Sequence, residues 1–122
     1  MHPLNIESNA LHLVMAFNEG GRELAAKALE IVRHAYEVKR VVVHVVSGKE
    51  PPFYIAEIRE LLTGNISRTL ICRYHGSTPD DLKAVLRALK GSRLVVLVDP
   101  RSIGYVKAAS EAQVQTLSAG GD

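Results

Sequence analysis

The chain has no tryptophan, two phenylalanines and a single cysteine among its 122 residues. An aromatic fraction of 5 % leaves too few rings for a platform on which the bases of a single strand could stack. The lone Cys72 excludes an intrachain disulfide and any zinc site built from several cysteines. It fits a reducing compartment. No run approaches the ~18 apolar residues that read as a membrane span. The opening Met1-His2-Pro3-Leu4-Asn5-Ile6-Glu7 has neither the basic flank nor the apolar stretch of a secretion signal. The expectation is therefore a cytoplasmic protein without a membrane partner. A formal charge of +2 supplies no field that would hold duplex nucleic acid. No serine stands on a Gly-x-Ser-x-Gly elbow, no paired carboxylate or nucleophile is expected near His75, and no catalytic or metal-binding residue is assigned.

What the chain does have is four short apolar runs: Leu11 to Phe17, Val41 to Val46, Thr69 to Cys72 and Leu94 to Val98. Near-continuous β-branched runs mark strands buried on both faces. With helix-like stretches between them they predict an α/β protein with a three-layer α/β/α Rossmann-like sheet. The sheet is expected to be mainly parallel, with four to five strands in the order 3-2-1-4, and a fifth beyond if the tail supplies one. One domain covers 1–122, with a loose lead-in over 1–10 and a frayed tail over 118–122.

Between the runs, Leu24, Ala28, Leu29, Val32 and Ala35 form the apolar stripe of a first helix. Pro51-Pro52 opens a second, with Ile55, Ile58, Leu61 and Leu62 as its face and Gly64 as its stop. The second strand is expected over 40–47. The third runs from about Arg68 to Tyr74, before a His75-Gly76-Ser77 turn. Thr78-Pro79-Asp80-Asp81 is the clearest helix start: a cap, a proline at the first position and two acids at the positive end of the dipole. Leu82, Val85, Leu86 and Leu89 make its buried stripe, and Gly91 ends it. Tyr105 to Ala112 is read as a last helix, and Val114 to Leu117 as a helix end or a fifth strand.

In an open α/β sheet ligands sit beyond the carboxyl ends of the strands, where the strand order reverses. That crevice lies between strands one and four and is lined by Asn18, Gly20, Gly21, Asp99, Arg101 and Ser102. Ser47, Gly48, His75, Gly76 and Ser77 form its rim, and Gly104 follows in the last loop. Gly20-Gly21 opens a helix whose amides and dipole suit a phosphate. Its alternative is a tight strand-to-helix turn, and Glu19 opposes an anion there. Asp99 could accept a ribose hydroxyl and Arg101 could grip phosphate bidentately. The alternative is a capped turn that ends the strand, with Asp99 and Arg101 solvated. His12 and His44 interrupt neighbouring strands. Without a third ligand at a defined spacing they read as partly buried histidines hydrogen-bonded under a helix, and His75 as a turn residue. Cys72 reads as a small hydrophobe within its strand.

Two family resemblances follow from these motifs. Leu13 to Val46, a strand, a small-residue turn, an Ala/Leu-rich helix and a strand ending His44-Val45-Val46, resembles the first half of the universal stress protein family. Tyr74 to Gly104 resembles the second half, with Gly76-Ser77-Thr78-Pro79 at its Gly-x-Pro turn and Arg101-Ser102-Ile103-Gly104 at its Arg-Ser-Gly loop. The resemblance implies a regulatory, non-catalytic module that binds ATP or AMP. The chain departs from it in carrying Asn18 where nucleotide-binding members have an acid, only Gly104 of the glycine run, and a reduced or missing fifth strand. Asp99, Ser102, Gly104 and Lys107 are similar, with altered spacing, to the CRISPR-associated Rossmann-fold sensor domains, which would imply a cyclic oligoadenylate ligand. In either case strand four is an apolar sheet edge that invites pairing. The tail around Val114 to Leu117 or a second copy must cover it, and a homodimer is expected. A homo-oligomeric interaction module without a small ligand and an enzyme are the remaining alternatives.

Overall fold

The computed structural model describes residues 10–19, 21–35, 38–48, 56, 59–60, 69–112 and 116–118. The elements are β1 (Ala10–Phe17), α1 (Gly21–His34), β2 (Arg40–Ser47), β3 (Thr69–Gly76), α2 (Pro79–Ala88), β4 (Leu94–Val98), α3 (Ile103–Glu111) and β5 (Thr116–Ser118). The helix expected after Pro51-Pro52 lies largely outside the described residues, although Ala56, Arg59 and Glu60 are helical. The lead-in before Ala10, Gly20, Val114 and the tail after Ser118 also lie outside them.

The sheet has the order β3-β2-β1-β4-β5 and every pairing is parallel. β1 is central and all eight of its residues are buried. Alternation along the strands sends their side chains to two cores. Leu11, Leu13, Met15 and Phe17 meet Val41, Val43 and Val45 beneath Leu24, Ala28 and Val32 of α1. Val14, Ala16, Val46, Val96 and Val98 meet Leu82, Val85 and Leu86 of α2 and Tyr105, Ala108 and Ala109 of α3. This is the three-layer arrangement that the apolar runs predict.

Four details differ from the sequence reading. Ala10 is the first residue of β1, not the end of a lead-in, because it pairs with Arg40. Ser118 belongs to β5, not to a frayed tail, and pairs with Val98. β5 therefore covers the edge of β4, so the bare-edge argument for a second copy loses its premise. α3 begins at Ile103 rather than Tyr105, with Ser102 at its N-cap. Finally, β3 does not stop at Tyr74. It continues through a bulge: Tyr74 pairs with Val45 and Gly76 with Val46, leaving His75 as the extra residue.

The start of α2 follows its sequence signal. The Asp81 N–H donates to Thr78 Oγ1 at 3.0 Å, and Asp81 Oδ2 accepts from the Thr78 N–H at 3.0 Å, closing a capping box. Asp81 Oδ2 also accepts from the Ser77 N–H at 3.0 Å. These bonds hold the Asp81 carboxyl below its ordinary range, those to Thr78 most strongly. Gly76 comes close to this carboxylate with φ at 128°. Gly76→Ala meets both the strained backbone and the carboxylate, and should cost about 2–3 kcal/mol in urea unfolding. Gly91, at φ 90° with nothing within 4 Å of an added Cβ, is the comparison: Gly91→Ala should cost only about 1 kcal/mol.

Candidate functional site

At the carboxyl ends of β1 and β4 the residues expected to line a crevice are tied to one another. The Asn18 N–H donates to Ser102 Oγ at 3.1 Å, and the Ser102 hydroxyl donates to Asp99 Oδ2 at 3.3 Å. Asp99 Oδ1 accepts from the Arg101 backbone N–H at 3.2 Å and from its Nε at 3.0 Å. Asp99 is 2 % exposed, and these three donors make it the acceptor that closes the turn after β4. The turn after the strand is capped, as the alternative expects, but Asp99 is buried in it rather than solvated, and only Arg101 is exposed. Arg101 has Glu19 at 3.8 Å and Glu23 at 3.6 Å besides Asp99. Asp99, and then Glu23 and Glu19, push the guanidinium pKa further up. Three carboxylates therefore surround the group expected to grip phosphate.

The rim residues are joined to this network by two tyrosines. Tyr105 Oη donates to the Ser77 carbonyl at 2.6 Å and Tyr74 Oη to the Ser47 carbonyl at 3.2 Å. Gly48 sits where a Cβ would come within 2.5 Å of Asn18 Oδ1 and 3.6 Å of Tyr105 Oη. The loops after β1, β2, β3 and β4 are thereby drawn together. Gly21 serves packing: a Cβ there would lie 2.8 Å from the Phe17 ring. At Gly104 an added Cβ would lie 3.2 Å from Pro79. Gly76 belongs to the bulge, and Gly20 lies outside the described residues. The sequence reading missed both tyrosines. Tyr105 had a signal, since a phenol on a stripe with Ala108 and Ala109 must carry its hydroxyl to a polar partner at the edge.

A second polar array crosses the sheet beneath α2. His12 Nδ1 lies 2.9 Å from His44 Nε2, and His44 Nδ1 lies 2.7 Å from His75 Nε2. The ring centroids lie 5.2 and 4.9 Å apart with planes inclined by 26° and 27°, so the rings meet end to end through these nitrogens. Register explains the alignment. His12 faces Val42, and His44 lies two residues on; His44 faces Arg73, and His75 lies two residues on. Each histidine thus meets the next across a strand diagonal, within reach of a ring. The expected pairing of His12 and His44 under a helix is present, but both are fully rather than partly buried, at 0 % and 4 % exposure. His75 is the third member, not a mere turn residue.

Burial lowers the His44 pKa to about 3, helped by His75, His12 and Arg73. Burial, with Arg73, also lowers that of His75, and Asp81 opposes the shift. These nitrogens hydrogen-bond to each other and do not converge on a point; two ligands of one zinc would stand about 3.3 Å apart. Among the described residues no group of three or more His, Cys, Asp or Glu is arranged to hold a metal ion. Cys72 is half-buried, and burial raises its thiol pKa despite Arg59. That fits packing rather than reactivity. No described helix is long and apolar enough to cross a membrane.

A neutral histidine in the fold with an ordinary pKa when unfolded makes the unfolded state the better proton binder. The contribution of His44 is therefore intact above about pH 6.5 and should be lost as pH falls toward 3, at about 1 kcal/mol per pH unit. Denaturant titrations at pH 7.5, 6 and 5 check this, and His44→Gln should flatten the dependence.

No protein-family model, curated protein or solved structure matches the chain.

Proposed function

We propose that the chain is a small, non-catalytic regulatory module of the universal-stress-protein kind, which takes an adenine nucleotide, ATP or AMP, at the carboxyl edge between β1 and β4. The observation that carries this reading is the contrast among the three helix starts that lie within the described residues. Glu19 precedes α1 and Glu23 lies in its first turn, while α2 has Asp80 and Asp81 in its own. α3 has no acid in its first turn and no side-chain cap bond, because Ser102 Oγ is engaged with Asn18 and Asp99. Its leading amides and dipole are the ones suited to a phosphate.

Arg101 adjoins that helix start. Its contacts to Glu19 and Glu23 are long and exposed, and pairs of this kind contribute little. A phosphate would displace them, while Asp99 keeps the guanidinium Nε in place. The non-catalytic part of the reading rests on the use of the edge's acid and hydroxyls. Asp99, Ser102, Tyr74 and Tyr105 all hold loops in position.

Thermal melts with ATP, AMP and cyclic tetra-adenylate, with and without a divalent metal, test the proposal. Nucleotide at a hundred times its dissociation constant should stabilise the fold by about 2.7 kcal/mol. Arg101→Ala should remove that shift. A response to cyclic tetra-adenylate alone would move the assignment to a cyclic-oligonucleotide sensor. A flat response to every nucleotide would overturn the ligand.

A further inference from the structure

The histidine array opens on a groove separate from the nucleotide crevice. This groove, about 310 Å³ in volume, lies between β3 and α2. Arg73, His75 and His44 form one wall, Asp81 stands at one end, and Val85, Ala88 and Leu89 of α2 form an apolar wall. We propose that the groove binds a small monocarboxylate with a short apolar tail, and that the three-histidine chain carries the signal of its binding to the centre of the sheet.

Size, shape and charge all bear on the choice of ligand. The volume is at the lower limit of ligand pockets, about 300 Å³, so the occupant is small. Arg73 is exposed on the edge strand and pairs in register with His44. Its planar fork matches a carboxylate, while the aliphatic wall suits a short hydrocarbon tail. Asp81 is committed elsewhere, accepting the Ser77 and Thr78 amides. It nevertheless stands in the groove, and a dianion would suffer its repulsion more than a monoanion.

The groups facing His75 are Arg73 on its own strand, His44 on β2 and Asp81 on α2. With His75 uncharged, the groove's formal charges, Arg73 and Asp81, cancel. An added carboxylate leaves one negative charge, which a proton on His75 neutralises. Binding should therefore take up a proton, and affinity should fall as pH rises, approaching tenfold per pH unit.

The signal follows from counting protons. An uncharged His44 has one N–H, so it donates either to His75 or to His12, never to both. While His75 is uncharged, both directions are open. Once His75 is protonated, its Nε2–H must donate to His44 Nδ1. His44 must then carry its proton on Nε2 and donate to His12 Nδ1. An anion at the sheet edge thus fixes a tautomer at a residue of 0 % exposure on the central strand.

Ring ¹⁵N NMR of the full chain at pH 7, titrated with butyrate and benzoate, tests both parts. The expected result is saturable change at His75 with proton uptake, and a shift of His44 and His12 to the Nε2–H form. Arg73→Gln, with its fold checked by circular dichroism, should weaken binding at least tenfold. Butanol should have no comparable effect, and propylphosphonate dianion should bind more weakly than butyrate. No saturable change up to 50 mM carboxylate, an equal response to butanol, tighter binding of the dianion, or unaltered binding by Arg73→Gln would overturn the ligand assignment. Changes confined to His75 would overturn the relay. Nucleotide melts at Arg101 are unaffected by either result, so the two proposals fail separately.

Discussion

The burial of β1 on every side is the constraint from which the other features follow. It is paired with β2 along one edge and β4 along the other, and α1 covers one face while α2 and α3 cover the second. A strand in that position can satisfy a polar side chain only from within the protein. His12 lies there, and the group that answers it is His44 on the adjacent strand, which is answered in turn by His75. A single polar residue at the centre thus generates a row of imidazoles that ends only where the sheet does. Burial and the neighbouring charges lower the pKa of its middle member.

The carboxyl edge obeys a different economy. There the loops reach water, and their polar groups are used to fix one loop against another. Asp99 gathers the turn after β4, Ser102 links that turn to the end of β1, and the two tyrosines reach back to Ser47 and Ser77. Such cross-bracing fixes the edge, and a pre-shaped surface has a lower ordering cost on binding than a loose one. The same bonds explain why Ser102 is no ordinary helix cap: its hydroxyl serves the loop and leaves α3 to begin without one.

How far the sequence revealed this depended on the range of the interaction. Valine-rich runs reported burial on both faces, and Thr78-Pro79-Asp80-Asp81 reported a helix start, because those signals are local. The end of β3 was obscured, since Gly76 looks like a turn residue whether it ends a strand or makes a bulge. β5 was ambiguous because a three-residue strand carries too little periodicity. Asp99-Pro100-Arg101-Ser102 fits a closed turn in sequence, but the carboxylates of Glu19 and Glu23 beside Arg101 and the Asn18 amide on Ser102 come together only in space. The three histidines were visible as residues, but the diagonal register that joins them was not.

Asp81 belongs to two structures at once. It latches the first turn of α2 and stands at one end of the groove beside His75. Any replacement that alters the field in the groove also unfastens the helix that forms its wall. Variation that retunes the groove must therefore come through Arg73 or the aliphatic side chains opposite it, while the acid at its end is held in place by the backbone it fastens.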